Sequence, residues 1–307
     1  MVSECYVLAS AVAVATGMNL PLAHAISQAD LARFKLHKIG DLSYTTAPVE
    51  YVANDSFLQK ITSLISIVLD SLLSKLPRTL KPLPLLMSFP SSIPQAAILH
   101  WLEGSEFSSS FSKVTILNSS GIFLFQQSLQ ALKNHDSIVC ISADSLLEQV
   151  ESLAEEYGVV GSQSPWGIIP GEGAFGMILT KKSVLRSLKL EYELKIGRAE
   201  FDWDAEDRRG CLRLTRKIGV TSINVDALHS DMTNTRSHTE DLGFALGALK
   251  KQPTHLSSTN EWWGTIGYAS SLATLASFRC LPDRINNGLV YLFDQNHSRA
   301  LVQIEKS

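Results

Sequence analysis

The sequence predicts an α/β fold in which parallel strands are joined by helical crossovers. In the first half, short apolar runs rich in β-branched residues alternate with longer segments whose apolar residues recur at helical spacing. This alternation is typical of parallel sheets with crossover helices. The second half carries a weak echo of the same order, with a strand, a helix of small residues and another strand, so we expect two related halves.

The predicted elements follow from local signals along the chain. β-Branched and aromatic runs indicate strands at residues 5–16, 85–89, 114–116, 137–143, 171–180, 188–199, 222–226, 255–258, 289–293 and 300–304. Helical periodicity indicates helices at residues 20–33, 94–102, 122–132, 146–157, 206–218, 234–250 and 265–279. A further helix is capped by Asn54 or Asp55 and stopped by Pro77. Residues 34–53 are predicted to form a loop.

The composition indicates a globular protein without a nucleic-acid partner. The chain has 307 residues, 45% of them hydrophobic. Its net charge is −3, so it lacks the excess of Lys and Arg that is typical of nucleic-acid-binding proteins. Its four cysteines, Cys5, Cys140, Cys211 and Cys280, lie far apart and form no CxxC pair. We therefore expect free thiols in a reducing, cytoplasmic compartment, and neither a disulfide framework nor a metal site.

The apolar N-terminus is interpreted as a first strand and helix. Ala23-His24-Ala25 faintly resembles a signal-peptidase site, but the preceding segment carries Glu4 and no Lys or Arg before the apolar run. No apolar run was expected to reach the length of a membrane span, so no span is predicted. The apolar stripe from Ile61 to Leu76 predicts a helix that faces the core.

The stretch from Lys113 to Leu132 is the candidate centre of the protein. It predicts a short strand, a tight turn at Asn118, Ser119 and Ser120, and an amphipathic helix. Many α/β enzymes hold a nucleophile at such a turn, because the helix N-terminus favours developing negative charge. Here the turn offers one amide and two hydroxyls, which serve either as helix caps or as acyl acceptors.

This turn resembles the nucleophile turn of the β-ketoacyl synthases, a family of the thiolase superfamily. Asn118-Ser-Ser-Gly121 is similar to the family's Cys-Ser-Ser-Gly, with asparagine at the cysteine, and Pro170-Gly-Glu-Gly-Ala174 is similar to its Gly-Glu-Gly-Ala turn. The resemblance implies a thiolase-like, layered αβαβα fold of two related halves with mixed sheets, divided as residues 1–165 and 166–307. An amide cannot carry an acyl group as a thiolate can, so the resemblance also implies a lost reaction.

Two later motifs resemble the family's remaining catalytic elements. The segment 225–233 is similar to Asn-Ala-His-Gly-Thr-Gly-Thr, with His229 at the first catalytic histidine. The segment 257–269 is similar to the lysine loop and the Gly-His after it, with Asn260 at the lysine and Thr265 at the second histidine. Decarboxylative condensation needs a thiolate and donors for the enolate, so no catalytic residue is expected. His229 is interpreted either as a structural histidine or as a residual acid–base or ligand-binding group.

The resemblance also implies an interface. Residues 137–147 are similar to the family's strand at the sheet edge, which pairs across the dimer. Phe123 and Phe125 lie on opposite sides of the predicted helix, and Trp262 and Trp263 are interpreted as packing residues or as the lining of an acyl tunnel. The candidates for interface or tunnel are Ser137, Ile138, Val139, Cys140, Ile141, Phe123, Phe125, Trp262 and Trp263.

A catalytically degenerate member of this family resembles the chain-length factor of type II polyketide systems. That resemblance implies a heterodimer with an active β-ketoacyl synthase, an acyl chain in a shared tunnel, a carrier protein that docks mainly on the partner, and no cofactor. A bacterial aryl polyene pathway is one expected setting. Two alternatives stay open: an acyltransferase or hydrolase that uses Ser119 or Ser120 with His229, and a self-associating scaffold without acyl chemistry.

Overall fold

The computed structural model describes residues 4–29, 31, 33–52, 56–219, 225–294 and 297–307. The strands are β1 (Cys5–Val14), β2 (Lys35–Ile39), β3 (Leu42–Thr46), β4 (Leu83–Ser88), β5 (Phe111–Leu117), β6 (Ser137–Ser145), β7 (Glu172–Lys181), β8 (Leu194–Asp202), β9 (Ala227–Ser230), β10 (His255–Ser258), β11 (Asn287–Phe293) and β12 (Arg299–Lys306). The helices are α1 (Leu20–Gln28), α2 (Phe57–Lys75), α3 (Gln95–Glu103), α4 (Gly121–Ala131), α5 (Val150–Glu156), α6 (Lys182–Leu188), α7 (Gly210–Ile218), α8 (Arg236–Ala248), α9 (Asn260–Trp263) and α10 (Ser270–Ser277).

The main sheet consists of two five-stranded units with the same topology. Its order is β5-β4-β6-β7-β1 followed by β8-β12-β11-β9-β10. In each unit the three strands at the outer edge of the sheet are parallel to one another. The two pairings that follow toward the middle of the sheet are antiparallel. Only three residue pairs between β1 and β8 connect the units. The prediction of two related halves with mixed sheets is confirmed.

The units divide after β7, later than the sequence indicated. β7 pairs along its length with β1 and β6 of the first unit, whereas the predicted boundary at 165/166 precedes β7. The glycine turn before this strand marks its start and carries no information about which sheet the strand joins. Pairing partners are a tertiary property, which the local signal cannot supply.

Helices and sheet units stack as alternating layers. One core packs α2 and α3 against the outer face of the first unit. The central core holds α4 and α10 between the two units, with side chains from β1, β7, β11 and β12. A third core packs α7 and α8 against the second unit. This is the predicted αβαβα arrangement, and it places α4, which follows the candidate turn, in the middle layer.

Several local predictions differ from the structure. The segment predicted as loop at residues 34–53 contains the hairpin β2–β3, whose strands are largely exposed and so lack an apolar pattern. The strand predicted at 188–199 begins only at Leu194, because α6 extends to Leu188 and residues 189–193 form an irregular connection. Ser56 caps α2, while Asn54 and Asp55 lie outside the described residues, as does most of the strand predicted at 222–226.

Helix α2 meets a length and hydropathy test for a membrane span. Among the described residues it is the one helix that does so, with 19 residues and a mean hydropathy of 1.4, so the expectation that no run is long enough was wrong. Its scattered Thr and Ser residues interrupt the run, but its Leu, Ile and Val residues keep the average high. Its apolar stripe is buried against β1, β6 and β7, as the prediction of a core-facing helix requires: Ile61, Leu64, Ile65, Val68, Leu69 and Leu72.

The strand predicted at the sheet edge lies inside the sheet. β6 pairs with β4 on one side and β7 on the other, and all nine of its residues are buried. Ser137, Ile138, Val139, Cys140 and Ile141 therefore cannot pair with another chain. β5 ends the order instead. A continuous apolar run marks a buried strand and does not tell how many neighbours that strand has.

A buried ion pair joins α2 to the Gly-Glu-Gly turn. Glu172 is fully buried and its carboxylate accepts hydrogen bonds from Lys60 Nζ at 2.8 and 2.9 Å, from the amide of Val49 at 2.6 Å and from Ser145 Oγ at 2.8 Å. These three donor groups make four hydrogen bonds and satisfy both carboxylate oxygens, as a buried charge requires. The turn that best matched the family motif thus anchors the start of β7.

Removing Lys60 should destabilise the protein strongly. Lys60→Met keeps an apolar side chain but leaves Glu172 as a buried charge without its cation, at a cost of about 3–5 kcal/mol. Urea unfolding followed by circular dichroism measures the difference. The matched control is Lys35→Met, since Lys35 and Glu50 form an exposed pair and the cost should stay below about 1 kcal/mol. Equal losses in the two variants would contradict the structural role given to Glu172.

Candidate functional site

A cavity of about 740 Å³ opens where the carboxyl ends of β4, β6, β9 and β11 converge beside the N-terminus of α4. In sheets of this kind ligands bind at the carboxyl ends of the strands. The lining residues are Phe57, Pro90, Ser91, Ser92, Ser120, Gly121, Asp144, Leu146, Glu148, Gln149, Asp231, Thr233, His238, Thr265, Gly267, Tyr268, Ser270, Ser271, Phe293 and Asp294. Of the predicted site residues, only Ser120 and Thr265 are among them.

The floor of the cavity is built around the backbone of Tyr268. Its carbonyl accepts a hydrogen bond from Ser142 Oγ at 2.7 Å, and its amide donates to Asp144 Oδ2 at 2.9 Å. A Cβ at Gly121 would lie 2.4 Å from the same carbonyl, so a side chain at this position would force α4 away. The first residue of α4 must therefore be glycine.

Asp231 follows β9 and points into the cavity. It is only 3% exposed; Oδ1 accepts a hydrogen bond from the amide of Phe293 at 2.7 Å, and Oδ2 is buried without a partner. Burial raises the pKa of Asp231 to about 8, although the Phe293 amide acts in the opposite direction. At neutral pH this carboxyl is mostly protonated and can donate a hydrogen bond from Oδ2.

A second buried carboxyl, Asp144, ends β6 on the same cavity. Oδ1 accepts from the amide of Ser145 at 2.7 Å and Oδ2 from that of Tyr268. Burial raises the pKa of Asp144 to about 7, against the effect of these two amides. Since both oxygens have partners, Asp144 is tied to the floor and less available than Asp231.

His238, near the start of α8, forms one wall. Its Nδ1 accepts a hydrogen bond from the Thr233 amide at 3.2 Å, so Nε2 carries the proton of the neutral ring. Burial lowers the pKa of His238 to about 3, and the charge of Arg299 acts in the same direction. The ring also packs on Phe293 at a centroid distance of 4.7 Å. His238 is thus a neutral wall residue.

Thr265 and Asn260 have different roles, although both stand at predicted catalytic positions. Thr265 lines the cavity, and its buried Oγ1 has no hydrogen-bond partner. Asn260 lies outside the lining and donates from Nδ2 to the carbonyls of Asp231 and Met232 at 2.5 and 2.9 Å. Asn260 therefore holds the backbone that presents Asp231 and does not itself reach the cavity.

His229 is a structural residue. It is fully buried in β9, with Nδ1 and Nε2 hydrogen-bonded to the hydroxyls of Ser257 at 2.8 Å and Ser277 at 2.9 Å, and it stacks on Trp262. Burial lowers the pKa of His229 to about 3. His229 does not line the cavity; the residue of this motif that does is Asp231, two positions later. Of the two interpretations of His229, its burial and its two hydroxyl partners agree with the structural one.

The residues of the predicted nucleophile turn lie in different places, with Asn118 on the surface and Ser120 at the cavity. Asn118 is exposed and its Oδ1 accepts a hydrogen bond from Gln95 Nε2 at 2.9 Å. Ser119 Oγ is buried without a partner and does not line the cavity. Ser120 lines it and caps α4, accepting from the amide of Phe123 at 3.4 Å. Neither serine is in contact with His229, so the geometry does not support the serine–histidine alternative.

The aromatic candidates lie outside the cavity. Trp263 is fully buried, packs on Phe175 and donates from Nε1 to Thr16 Oγ1 at 2.9 Å. Trp262 stacks on His229, and Phe125 belongs to the central core. These three are core residues, so the alternative of tunnel lining was wrong for them. Phe123 is half-buried and faces Trp203 at a centroid distance of 6.0 Å, so it stays a surface candidate.

No cysteine lines the cavity among the residues that the structure describes. Cys5, Cys140 and Cys211 are buried in the cores, and burial raises the pKa of each thiol, to about 12 for Cys140. Cys280 is half-buried, and burial raises its pKa to about 11. All four are therefore poor nucleophiles near neutral pH.

The residues that sequence reasoning missed stand one or two places from those it named. Asp144 falls inside the segment 137–147, and Asp231 falls inside the segment 225–233. A usable signal existed, because polar residues at the carboxyl ends of predicted strands are the expected site residues of α/β sheets. His238 follows in the next helix and carries no such signal.

Comparisons with known proteins agree with this architecture. Neither a scan against protein-family models nor a search of curated proteins found a match. Among solved structures, a chain from the AntDE:AntF complex, a type II polyketide synthase acyl-carrier protein with its ketosynthase, aligns with a TM-score of 0.77 at 9% identity and covers 100% of both chains. The ishigamide ketosynthase/chain length factor aligns with a TM-score of 0.73 at 13% identity over 99% of each chain.

A third solved structure extends the likeness to modular enzymes. Ketosynthase twelve of the bacillaene polyketide synthase from Bacillus amyloliquefaciens aligns with a TM-score of 0.71 at 10% identity, over 99% of this chain and 73% of that one. Such identities show a common fold. The chain has the thiolase-like fold of the ketosynthases and chain length factors, as its resemblance to the β-ketoacyl synthases implied.

Asp231 should make stability fall as pH rises. The pKa of Asp231 is about 8 in the folded state and about 4 in the unfolded state. Between these two pH values the folded state binds one more proton than the unfolded state. The stability that this proton confers is therefore lost as pH rises. Asp231→Asn removes this titration and keeps the acceptor for the Phe293 amide. The difference in free energy of unfolding between wild type and variant should change by up to about 1.4 kcal/mol per pH unit. Urea titrations between about pH 4 and 8 measure it, and a difference independent of pH would contradict the assignment.

Proposed function

We propose that this protein is a non-catalytic, ketosynthase-like subunit, a chain-length factor. It pairs with an active β-ketoacyl synthase and shapes the tunnel for a growing acyl or polyene chain. The observation that carries this proposal is the loss of the nucleophile: the turn before α4 bears the exposed amide of Asn118, and no thiol lines the cavity among the described residues. A ketosynthase fold with this turn cannot hold an acyl group as a thioester.

The position of β5 supports a role through association. It is the terminal strand of the first sheet unit, so one of its backbone edges is open to a partner chain. An exposed strand edge needs such cover to avoid uncontrolled pairing. Since ketosynthases pair through an edge strand, β5 takes the role that the sequence had assigned to residues 137–147.

The solved structures with this fold suggest the setting. One is described as a ketosynthase in complex with its type II acyl-carrier protein, another as a ketosynthase/chain length factor. By analogy we place this chain in type II polyketide or fatty-acid-like biosynthesis, with aryl polyene formation as the specific pathway proposed. The carrier protein docks mainly on the catalytic partner. The four unpaired cysteines suit a cytoplasmic complex, and no cofactor is proposed.

Co-expression with an active β-ketoacyl synthase of a type II system tests the pairing. Size-exclusion chromatography with light scattering should show a one-to-one heterodimer. Thr115→Lys, which adds a charge to β5, should abolish the complex, because a lysine on an edge strand blocks sheet pairing. Leu256→Lys on β10, the opposite sheet edge, is the matched control and should leave the complex intact; Leu256 is 57% exposed. A stable homodimer that ignores the ketosynthase would favour a self-associating scaffold instead.

Incubation with acyl thioesters tests the absence of covalent chemistry. Intact-protein mass spectrometry should find the isolated subunit unmodified, because Ser120 serves as a helix cap and His229 is out of reach. An acyl adduct that disappears in Ser120→Ala would overturn the proposal in favour of a serine acyltransferase or hydrolase.

A further inference from the structure

Lys113 is the only charged residue in a long segment at the open edge of the sheet. The segment 111–132 contains β5, the candidate turn and α4, and its other residues are apolar or uncharged, although 19% of the whole chain is charged. The half-buried residues of α4 include Phe123, Gln126 and Gln127. The centres of protein–protein interfaces are depleted in charge in the same way. A single cation on such a surface therefore requires an explanation.

Strand β5 is a favourable template for pairing with another strand. It has seven residues and includes the β-branched run Val114, Thr115 and Ile116, whereas β10 at the opposite edge has four residues. β4 pairs with one side of β5, and the strand order ends on the other side. Long edge strands of this kind need protection against unwanted pairing, and a lysine on the strand is one such protection.

Lys113 projects from this edge strand into solvent. Val114 and Ile116 pack against the core that contains α2 and α3, whereas Leu117 packs against the central core. Alternation along the strand places Lys113 and Thr115 on the same face as Leu117. Lys113 is exposed, and it forms no ion pair with any residue that the structure describes. Its charge is therefore available to a partner chain.

Antiparallel pairing of β5 with a second copy of itself would bring two lysines together. When the strands overlap over their full length, Val114 lies opposite its own copy and Lys113 lies opposite Thr115. The two copies of Lys113 are then diagonal neighbours, with Cβ atoms about 7–8 Å apart. This distance is no longer than the Debye length of about 8 Å at physiological salt, so the two ammonium groups repel each other. Like charges across an interface disfavour that pairing.

We propose that Lys113 selects the partner of β5. Its charge prevents β5 from pairing with a second copy of this chain, and it favours an edge strand that carries an Asp or Glu at the diagonal position. This inference rests on the proposed function, in which the partner is an active β-ketoacyl synthase, and it adds the chemistry of that partner's strand. One lysine thereby directs the chain to a heterodimer and away from a homodimer.

Removal of the charge should release self-pairing in the isolated chain. Sedimentation velocity at about 0.15 M salt should find the wild type monomeric, whereas Lys113→Thr should dimerise with a dissociation constant at least about tenfold lower. Adding Thr115→Lys to that variant should restore the monomer, which locates the contact on β5. Lys133→Thr removes an exposed lysine beyond the end of α4 and should stay monomeric. A wild-type homodimer, or a monomeric Lys113→Thr, would overturn the inference.

Reversal of the charge tests the requirement for a carboxylate. Lys113→Glu should be monomeric alone, because its two carboxylates repel each other as the lysines do. An equimolar mixture with the wild type should form a one-to-one dimer, since an ammonium and a carboxylate then lie on the diagonal. Native mass spectrometry identifies the mixed dimer when one chain carries a tag. The mixed dimer should dissociate at about 1 M salt, where the Debye length is about 3 Å. A mixture that remains monomeric contradicts the proposed selection.

The complex with the ketosynthase separates this inference from the proposed function. Lys113→Glu should weaken that complex at least about tenfold, because it places two carboxylates on the diagonal. Equal affinity of the wild type and Lys113→Glu would overturn the inference while the proposed pairing stands. A wild-type chain that binds no ketosynthase overturns the proposed function, whereas the two tests on the isolated chain decide the role of Lys113 on their own.

Discussion

The close approach of the α4 N-terminus to the segment before α10 is the contact on which the candidate site depends. No side chain fits at Gly121, since a Cβ there would meet the Tyr268 carbonyl at 2.4 Å. The backbone of Tyr268 is also held by β6, because Ser142 donates to its carbonyl and Asp144 accepts from its amide. The backbone of this one residue thus joins the first sheet unit, the middle helices and the cavity floor. Within the sheet, three residue pairs between β1 and β8 join the two units in the described part of the chain, and the packing of α4 on α10 adds to this connection.

The stabilising contacts of the fold are separate from the groups that would have carried chemistry. Glu172 is fully paired with Lys60 and backbone, and His229 is saturated by two serine hydroxyls. These polar groups hold layers together and need no substrate. By contrast, Asp231 Oδ2 and Thr265 Oγ1 are buried and unpaired in residues that line the cavity. A chain can therefore exchange a cysteine for Asn118 and keep its architecture, since nothing in the packing depends on a thiol.

Sequence reasoning succeeded where a signal is local. The alternation of strand and helix, the core-facing stripe of α2 and the two C-terminal strands β11 and β12 follow from periodicity and β-branched runs, and the structure has all three. It failed where the place of a segment depends on which other segments pack beside it. Whether β6 is an edge or an interior strand depends on β4 and β7, and a fully apolar strand suits either place. His229 was assigned to the site because it is the only histidine in its motif. The residue that lines the cavity at the end of β9 is Asp231.

The sequence by itself determined the fold class, the duplication of the two halves and the absence of a cysteine at the nucleophile turn. These depend on residue type, spacing and order, which are written directly in the chain. Only the tertiary structure decided which strand is left open, which polar side chains meet at the cavity and which of them lack partners. Those properties arise when residues far apart in sequence, such as Asp144, Asp231 and Thr265, are brought to one edge by the convergence of strand ends. Their burial, and the raised pKa values of the two carboxyls, exist only once that edge has been assembled.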